Sequence, residues 1–244
     1  MNPKHSFILA LLITLVIANF IYLSNSLGAE REEVLVTRVI DGDTFESEDA
    51  VYRLVNINTP EKGEKGYLEA KSFLKILENK TVEIELIGLD KYSRTLVKVY
   101  SPKYVNLELI EKGMAKKFLV QEDELKIFAE AEESAVLTEK GIWEKSDYFN
   151  CFEAEIDEEK EEAMLKNSCN SLNLEGWVIT DESRKKYKFK SVVLEEVNLH
   201  SGEGKDDENN LFWGSSQNIW NNDRDTLYLF DDEGRIAHYN SYGY

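Results

Sequence analysis

The sequence predicts an α+β unit followed by an all-β sandwich. Three observations carry that prediction. Residues 34–61 read as strand, acidic turn, two further strands and loop, with Val34, Val36 and Ile40 in the first strand and a β-branched run over 51–57 as the last. Behind them, apolar residues recur at helical spacing in three stretches. From about Asn150 the pattern changes to short strands and turns at sandwich spacing. The chain has 244 residues, enough for two ordinary domains.

Taken in order, residues 7–23 form a largely apolar run behind Lys4 and His5, read as an export signal and not as a core helix. Leu27-Gly28-Ala29 offers a cleavage site before Glu30. Residues 1–29 are therefore expected to be a signal peptide or, uncleaved, an N-terminal membrane anchor. Lys4 on one side and Glu30-Arg31-Glu32-Glu33 on the other orient the body outward, secreted or held on the outer face of the cytoplasmic membrane.

Asp41-Gly42-Asp43-Thr44 is a turn between two strands, and the β-branched strand over 51–57 that follows them carries Arg53. Asn58-Thr59-Pro60-Glu61 ends that strand, because proline restricts the residue before it and has no ladder donor. Ala70, Phe73, Leu74 and Leu77 predict a helix over 68–77. A strand over 81–87, with Val82, Ile84 and Leu86 on one face, pairs with one over 96–100 through Asp90-Lys91-Tyr92-Ser93-Arg94. A short helix over 105–112 stops at Gly113. A longer one over 125–138 is expected to bury Ile127, Phe128, Ala131, Ala135 and Val136, with Gly141 as C-cap and Trp143 in the core.

Turns and strand ends thus present Asp43, Arg53, Asn58, Thr59 and Glu61 together. Asp43 and the oxygens of Asn58 and Thr59 are hard ligands suited to Ca²⁺. Glu61 can act as general base on a water. Arg53 and Arg94 can hold a phosphate, with Lys91 and Tyr92 as further substrate contacts. A metal, a base and two arginines are what phosphodiester hydrolysis requires.

The ordered pieces IDGDTF (40–45), YRLVNINTPE (52–61), LDKYSR (89–94) and VNLELIEKGMAK (105–116) resemble the staphylococcal nuclease (thermonuclease) family. The resemblance spans roughly residues 34–143. It implies a five-stranded OB-fold barrel with packed helices for residues 30–148. It also implies an endonuclease acting on DNA and/or RNA and leaving 3′-phosphate ends. In that scheme Asp43 holds Ca²⁺ with help from Asn58 and Thr59, Glu61 is the base, and Arg53 and Arg94 meet the phosphate. One position departs from the pattern: the family usually has a second metal-binding aspartate where this chain has Asn58. Loss of one ligand charge predicts Ca²⁺ binding weaker by about tenfold. The competing expectation is a non-catalytic nucleic-acid-binding or adhesion scaffold. Retention of Asp43, Arg53, Glu61 and Arg94 together argues for chemistry.

The net charge is −18, and both halves are acidic. No basic footprint exists overall, so nucleic acid must be drawn by local charge at Arg53, Lys91, Arg94 and a metal.

In residues 149–244, Leu174-Glu175-Gly176-Trp177, Tyr187-Lys188-Phe189, Phe212-Trp213-Gly214 and Trp220-Asn221-Asn222 resemble the lamin-tail domain, an Ig-like β-sandwich. A cell-surface or protein partner is expected for this domain, and contact with a membrane only through an uncleaved N-terminal segment. Trp177, Trp213 and Trp220 read as sandwich core, and Asp231-Asp232-Glu233-Gly234 as a hairpin turn. The chain has two cysteines and no C-x-x-C, which excludes a zinc knuckle or a thioredoxin motif. Cys151 opens the first sandwich strand and Cys169 follows the second, so antiparallel pairing and export predict a disulfide between them. His5, His200 and His238 are scattered and suggest no metal site.

Overall fold

The structure, a computed structural model, describes residues 31–48 and 50–244 together with residues 13, 14 and 16, the side chain of Leu194 excepted. The export segment expected at residues 1–29 lies almost wholly outside the described residues. Among those residues no helix is long and apolar enough to cross a membrane.

The N-terminal unit contains β1 (Arg31–Leu35), β2 (Arg38–Val39), β3 (Thr44–Ser47), β4 (Ala50–Leu54), β5 (Ile57–Asn58), α1 (Tyr67–Lys75), β6 (Thr81–Leu89), β7 (Thr95–Tyr100), α2 (Val105–Glu111), β8 (Lys116–Lys117) and α3 (Leu125–Leu137). The resemblance predicts five strands. The structure has six in one sheet, ordered β1-β6-β7-β4-β3-β2, with β5 and β8 paired beside it. Alternation selects the inner face, so that Val82 and Ile84 of β6 are buried beside Phe45, Leu54, Val97 and Val99. Leu74, Leu109, Ile110 and Phe128 close this core from the helices.

The strand predicted over 51–57 breaks at Asn56, where φ is +68°. Asparagine tolerates this left-handed backbone better than most residues, and here its side chain also fixes it. Oδ1 accepts the Gln121 N–H at 3.1 Å, while Nδ2 donates to Glu124 at 2.5 Å and to the Tyr104 hydroxyl at 3.3 Å. The break moves the chain off β4 and onto β8, where Asn58 stands opposite Lys116. The site forms around this change of partner.

The C-terminal unit contains β9 (Phe152–Asp157), β10 (Glu162–Asn167), β11 (Leu172–Asn173), β12 (Val178–Thr180), β13 (Lys186–Lys188), β14 (Val193–Leu194), β15 (Glu196–His200), β16 (Asn210–Phe212), β17 (Asp225–Phe230) and β18 (Ile236–Tyr242). Sheets β16-β15-β10-β9 and β13-β12-β17-β18 share one apolar core that includes Leu165, Leu199, Ile179, Leu229, Trp177 and Trp220. Trp213 packs against it from its edge. Between β11 and β12 the chain turns at Gly176, φ +88°, a backbone conformation that favours glycine. Sequence pattern missed β16, which is three residues long and lies in a polar stretch.

Cys151 and Cys169 are bonded, with Cα atoms 5.2 Å apart, at the open end of the β9–β10 hairpin. Reduction is expected to lower stability by about 3 kcal/mol, the chain-entropy value for a loop of this size. Urea denaturation with and without reductant measures it.

The two units meet through buried groups. Ala135, Val136, Ile142 and Trp143 pack with Tyr228 and Ile236, and the Trp143 and Tyr228 rings stack at 5.5 Å. Lys117, 1% exposed, donates to Glu132 at 2.6 Å, to Thr226 at 2.6 Å and to Ser241 at 2.9 Å. Its ammonium also lies 3.3 Å from Glu182. This corrects the face expected for α3: Ile127 is 49% exposed, and Glu132 is buried instead. The helix turns its carboxylate inward because Lys117 and the Tyr228 hydroxyl satisfy it there.

Candidate active site

The turn between β2 and β3 brings Asp43 inward, and it can do so only with glycine before it. A Cβ on Gly42 would lie 2.8 Å from Thr59 Oγ1 and 2.7 Å from Ala70 Cβ. Asp43 is buried, and every oxygen is engaged. Oδ2 accepts the Thr59 N–H at 2.9 Å and its hydroxyl at 3.0 Å, while Oδ1 accepts the Thr44 hydroxyl at 3.0 Å and pairs with Arg53. Burial pushes the Asp43 carboxyl up, but Arg53, the Thr59 N–H and Arg184 outweigh it and hold it below the ordinary carboxylate value. Burial and the Asp43 charge raise neighbouring Asp41 to about 6.

Arg53, also buried, reaches from β4 to the β5 segment. Its Nη2 donates to the Ile57 carbonyl at 3.1 Å and to Asn58 Oδ1 at 2.6 Å. Its Nη1 pairs with Asp43. Asn58 Oδ1 accepts a second guanidinium, that of Arg184, at 2.7 Å, and Asn58 Nδ2 donates to the Glu182 carbonyl at 2.9 Å. Arg184 also pairs with Glu61 Oε1. Among the described residues Glu61 Oε2 has no hydrogen-bond partner, so it can meet a water.

Asp43, Arg53, Asn58, Thr59 and Glu61 therefore converge. Arg94 does not join them by any hydrogen bond or ion pair among the described residues. It is held by Asp90 at 2.7 Å on the β6–β7 loop. The β4–β7 register sets Leu96 opposite Arg53, and Arg94 precedes β7 on the loop. Lys91 and Tyr92 occupy the exposed tip of that loop, the ammonium 5.1 Å from the ring.

The ligand set assigned by resemblance does not fit Ca²⁺ as arranged here. Calcium takes about six to eight oxygens. Here the Asp43 and Asn58 side-chain oxygens already accept guanidinium or hydroxyl donors, and two cations face the same spot. Among the described residues no group of three or more His, Cys, Asp or Glu is placed to hold a metal.

A cavity of about 360 Å³ opens beside Asn58 and Arg184, lined also by Lys65, Lys116, Lys186 and Lys188. Glu64, Asp231 and Asp232 line it as well, so its cations face three carboxylates. The Lys116 ammonium lies 4.1 Å from the Tyr228 ring centre and 4.7 Å from that of Phe230. Burial pushes Lys116 down to about 8 from the ordinary 10.5. Between those values the unfolded chain binds more protons, so stability should rise as pH increases from about 8 towards about 10. Lys116→Met should flatten that rise in denaturation curves measured across the window.

Sequence reasoning missed Arg184, Glu182, Lys117 and Glu132 as parts of the site and its support. The Asp181-to-Lys185 stretch is legible only as a polar turn between two strands, since its partners lie more than a hundred residues away, as with Asn58 and Arg184.

The sequence profile described as Staphylococcal nuclease homologue matches residues 51–145, and that of the Lamin Tail Domain matches residues 154–244. An uncharacterized endonuclease from Haemophilus influenzae is 31% identical over 140 residues, 54% of this chain and 78% of that protein. A thermonuclease from Staphylococcus intermedius is 32% identical over 161 residues, 57% of this chain and 96% of that protein.

Proposed function

We propose that this chain, which belongs to the staphylococcal nuclease family and continues into a lamin tail domain, hydrolyses phosphodiester bonds of DNA or RNA. The observation that carries the proposal is the convergence of two guanidiniums, Arg53 and Arg184, on Asn58, with Arg184 reaching on to a Glu61 carboxylate that has one oxygen open to water. Arg53 donates to a non-bridging phosphate oxygen, where negative charge builds in the transition state. Glu61 takes a proton as the water oxygen bonds to phosphorus. The bond from phosphorus to the leaving sugar oxygen breaks, and that oxygen keeps the electron pair and is protonated from solvent. No step here runs through calcium. We include export in the proposal, supported by the apolar run at residues 7–23 and by the Cys151–Cys169 bond, which suits an oxidising compartment.

The full-length protein should degrade DNA or RNA in solution. Arg53→Lys keeps a charge opposite Asp43 but loses the planar fork, and should slow cleavage at least about tenfold. Strand binding by the wild-type protein without any cleavage would overturn the proposal in favour of a scaffold.

A further inference from the structure

We infer that Arg184, delivered by the second domain, serves as the site's second cation in place of a divalent metal and binds the substrate phosphate together with Arg53. The inference rests on the hydrolytic reading above and adds a residue from outside the nuclease domain.

The first support is position. One guanidinium reaches both Asn58 Oδ1, at 2.7 Å, and Glu61 Oε1. These are the side chains that the resemblance makes a metal ligand and the base. Asp43 is already paired with Arg53, so a divalent ion at this spot would meet two positive charges. The planar fork of arginine suits a phosphate, whose oxygens can take two parallel N–H bonds.

The second support is the amide at position 58. Its oxygen accepts from Arg53 and Arg184 at once, while its Nδ2 donates to the Glu182 carbonyl at 2.9 Å. A carboxylate could not make that donation. It would also neutralise the guanidiniums, whereas a neutral amide orients both and leaves their charge for a phosphate. The departure at Asn58 thus matches the second domain that covers it.

The third support is that Arg184 is fixed in place. It ends the β12–β13 turn at φ +72°. In that turn Asp181 accepts the Lys185 N–H at 2.7 Å and the Ser183 hydroxyl at 2.5 Å. Glu182, next to it, is buried and lies 3.3 Å from the Lys117 ammonium. Withdrawing Arg184 would expose or unpair these groups, which favours a permanent part of the site over a removable plug.

The test compares the wild-type protein with Arg184→Ala and Arg184→Lys at full length, measuring cleavage of single-stranded DNA and RNA with Ca²⁺ and with chelator. Calorimetric titration with Ca²⁺ alone runs beside it. The wild-type protein should cleave equally well in chelator. Arg184→Ala should lose about a hundredfold or more in chelator, the scale of removing one transition-state donor, and should gain Ca²⁺ binding that the wild-type protein lacks. Arg184→Lys should fall between them, since it keeps the charge without the fork. Cleavage by the wild-type protein only with Ca²⁺, or cleavage by Arg184→Ala in chelator at or above the wild-type rate, would overturn the inference. If no protein cleaves under any condition, the hydrolytic reading fails and the inference falls as a statement about substrate. The calcium titration still separates the two: equal Ca²⁺ binding with and without Arg184 overturns the metal-replacement claim by itself.

Discussion

Glu61→Gln is expected to slow strand cleavage by about a hundredfold or more, the lower end of what a single positioned base contributes. The substitution keeps the shape of the side chain and an oxygen that can still accept the Arg184 N–H, and removes only the ability to take a proton. The Glu61 side chain is 63% exposed, so the fold should be nearly indifferent, with a melting temperature close to that of the wild-type protein. Single-turnover rates at saturating substrate isolate the chemical step from binding. A full rate in Glu61→Gln would remove Glu61 as the base and leave the two arginines as the whole of the site's contribution.

The largest effect on stability is expected from Lys117→Met. It should cost about 3–5 kcal/mol at neutral pH, the range for breaking a buried ion pair from one side. The variant leaves Glu132 and Glu182 buried without their cation, and the Lys117 bonds to Thr226 and Ser241 disappear with it. Burial already raises Glu182 in the intact protein, and Lys117 partly offsets it. Without Lys117 the Glu182 carboxyl should move up further. A folded-state value raised above the unfolded one means that the folded chain binds more protons between the two, so stability falls as pH rises through that window. The deficit should therefore shrink on acidification towards the ordinary glutamate value. Urea denaturation at neutral and at mildly acidic pH reads both the size and the sign. A loss under about 1 kcal/mol at neutral pH would mean that apolar packing around Trp143 and Tyr228, and not this network, holds the domains together. The Glu182 backbone carbonyl anchors Asn58 and the adjoining turn carries Arg184, so cleavage should fall as well, in the variant that still folds.

What the sequence determined by itself was whatever local pattern encodes. Alternation placed Val82 and Ile84 inside β6 but not Leu86, which is exposed where the β6–β7 register shifts, and helical spacing placed Leu74 and Phe128 against the sheet. The Asp41-Gly42-Asp43-Thr44 turn and the Pro60 break were legible because glycine and proline restrict the backbone wherever they stand. Asp43, Arg53, Asn58, Thr59 and Glu61 followed from that turn and strand end, all within twenty residues of sequence. Only the tertiary structure could decide what these side chains meet. The kink at Asn56 depends on Gln121, Tyr104 and Glu124, and the inward turn of Glu132 depends on Lys117 and Tyr228. Arg184 reaches Glu61 across 123 positions of chain. A charged residue in a polar turn leaves no periodic trace, because its stability comes from distant partners that appear only once both domains have folded.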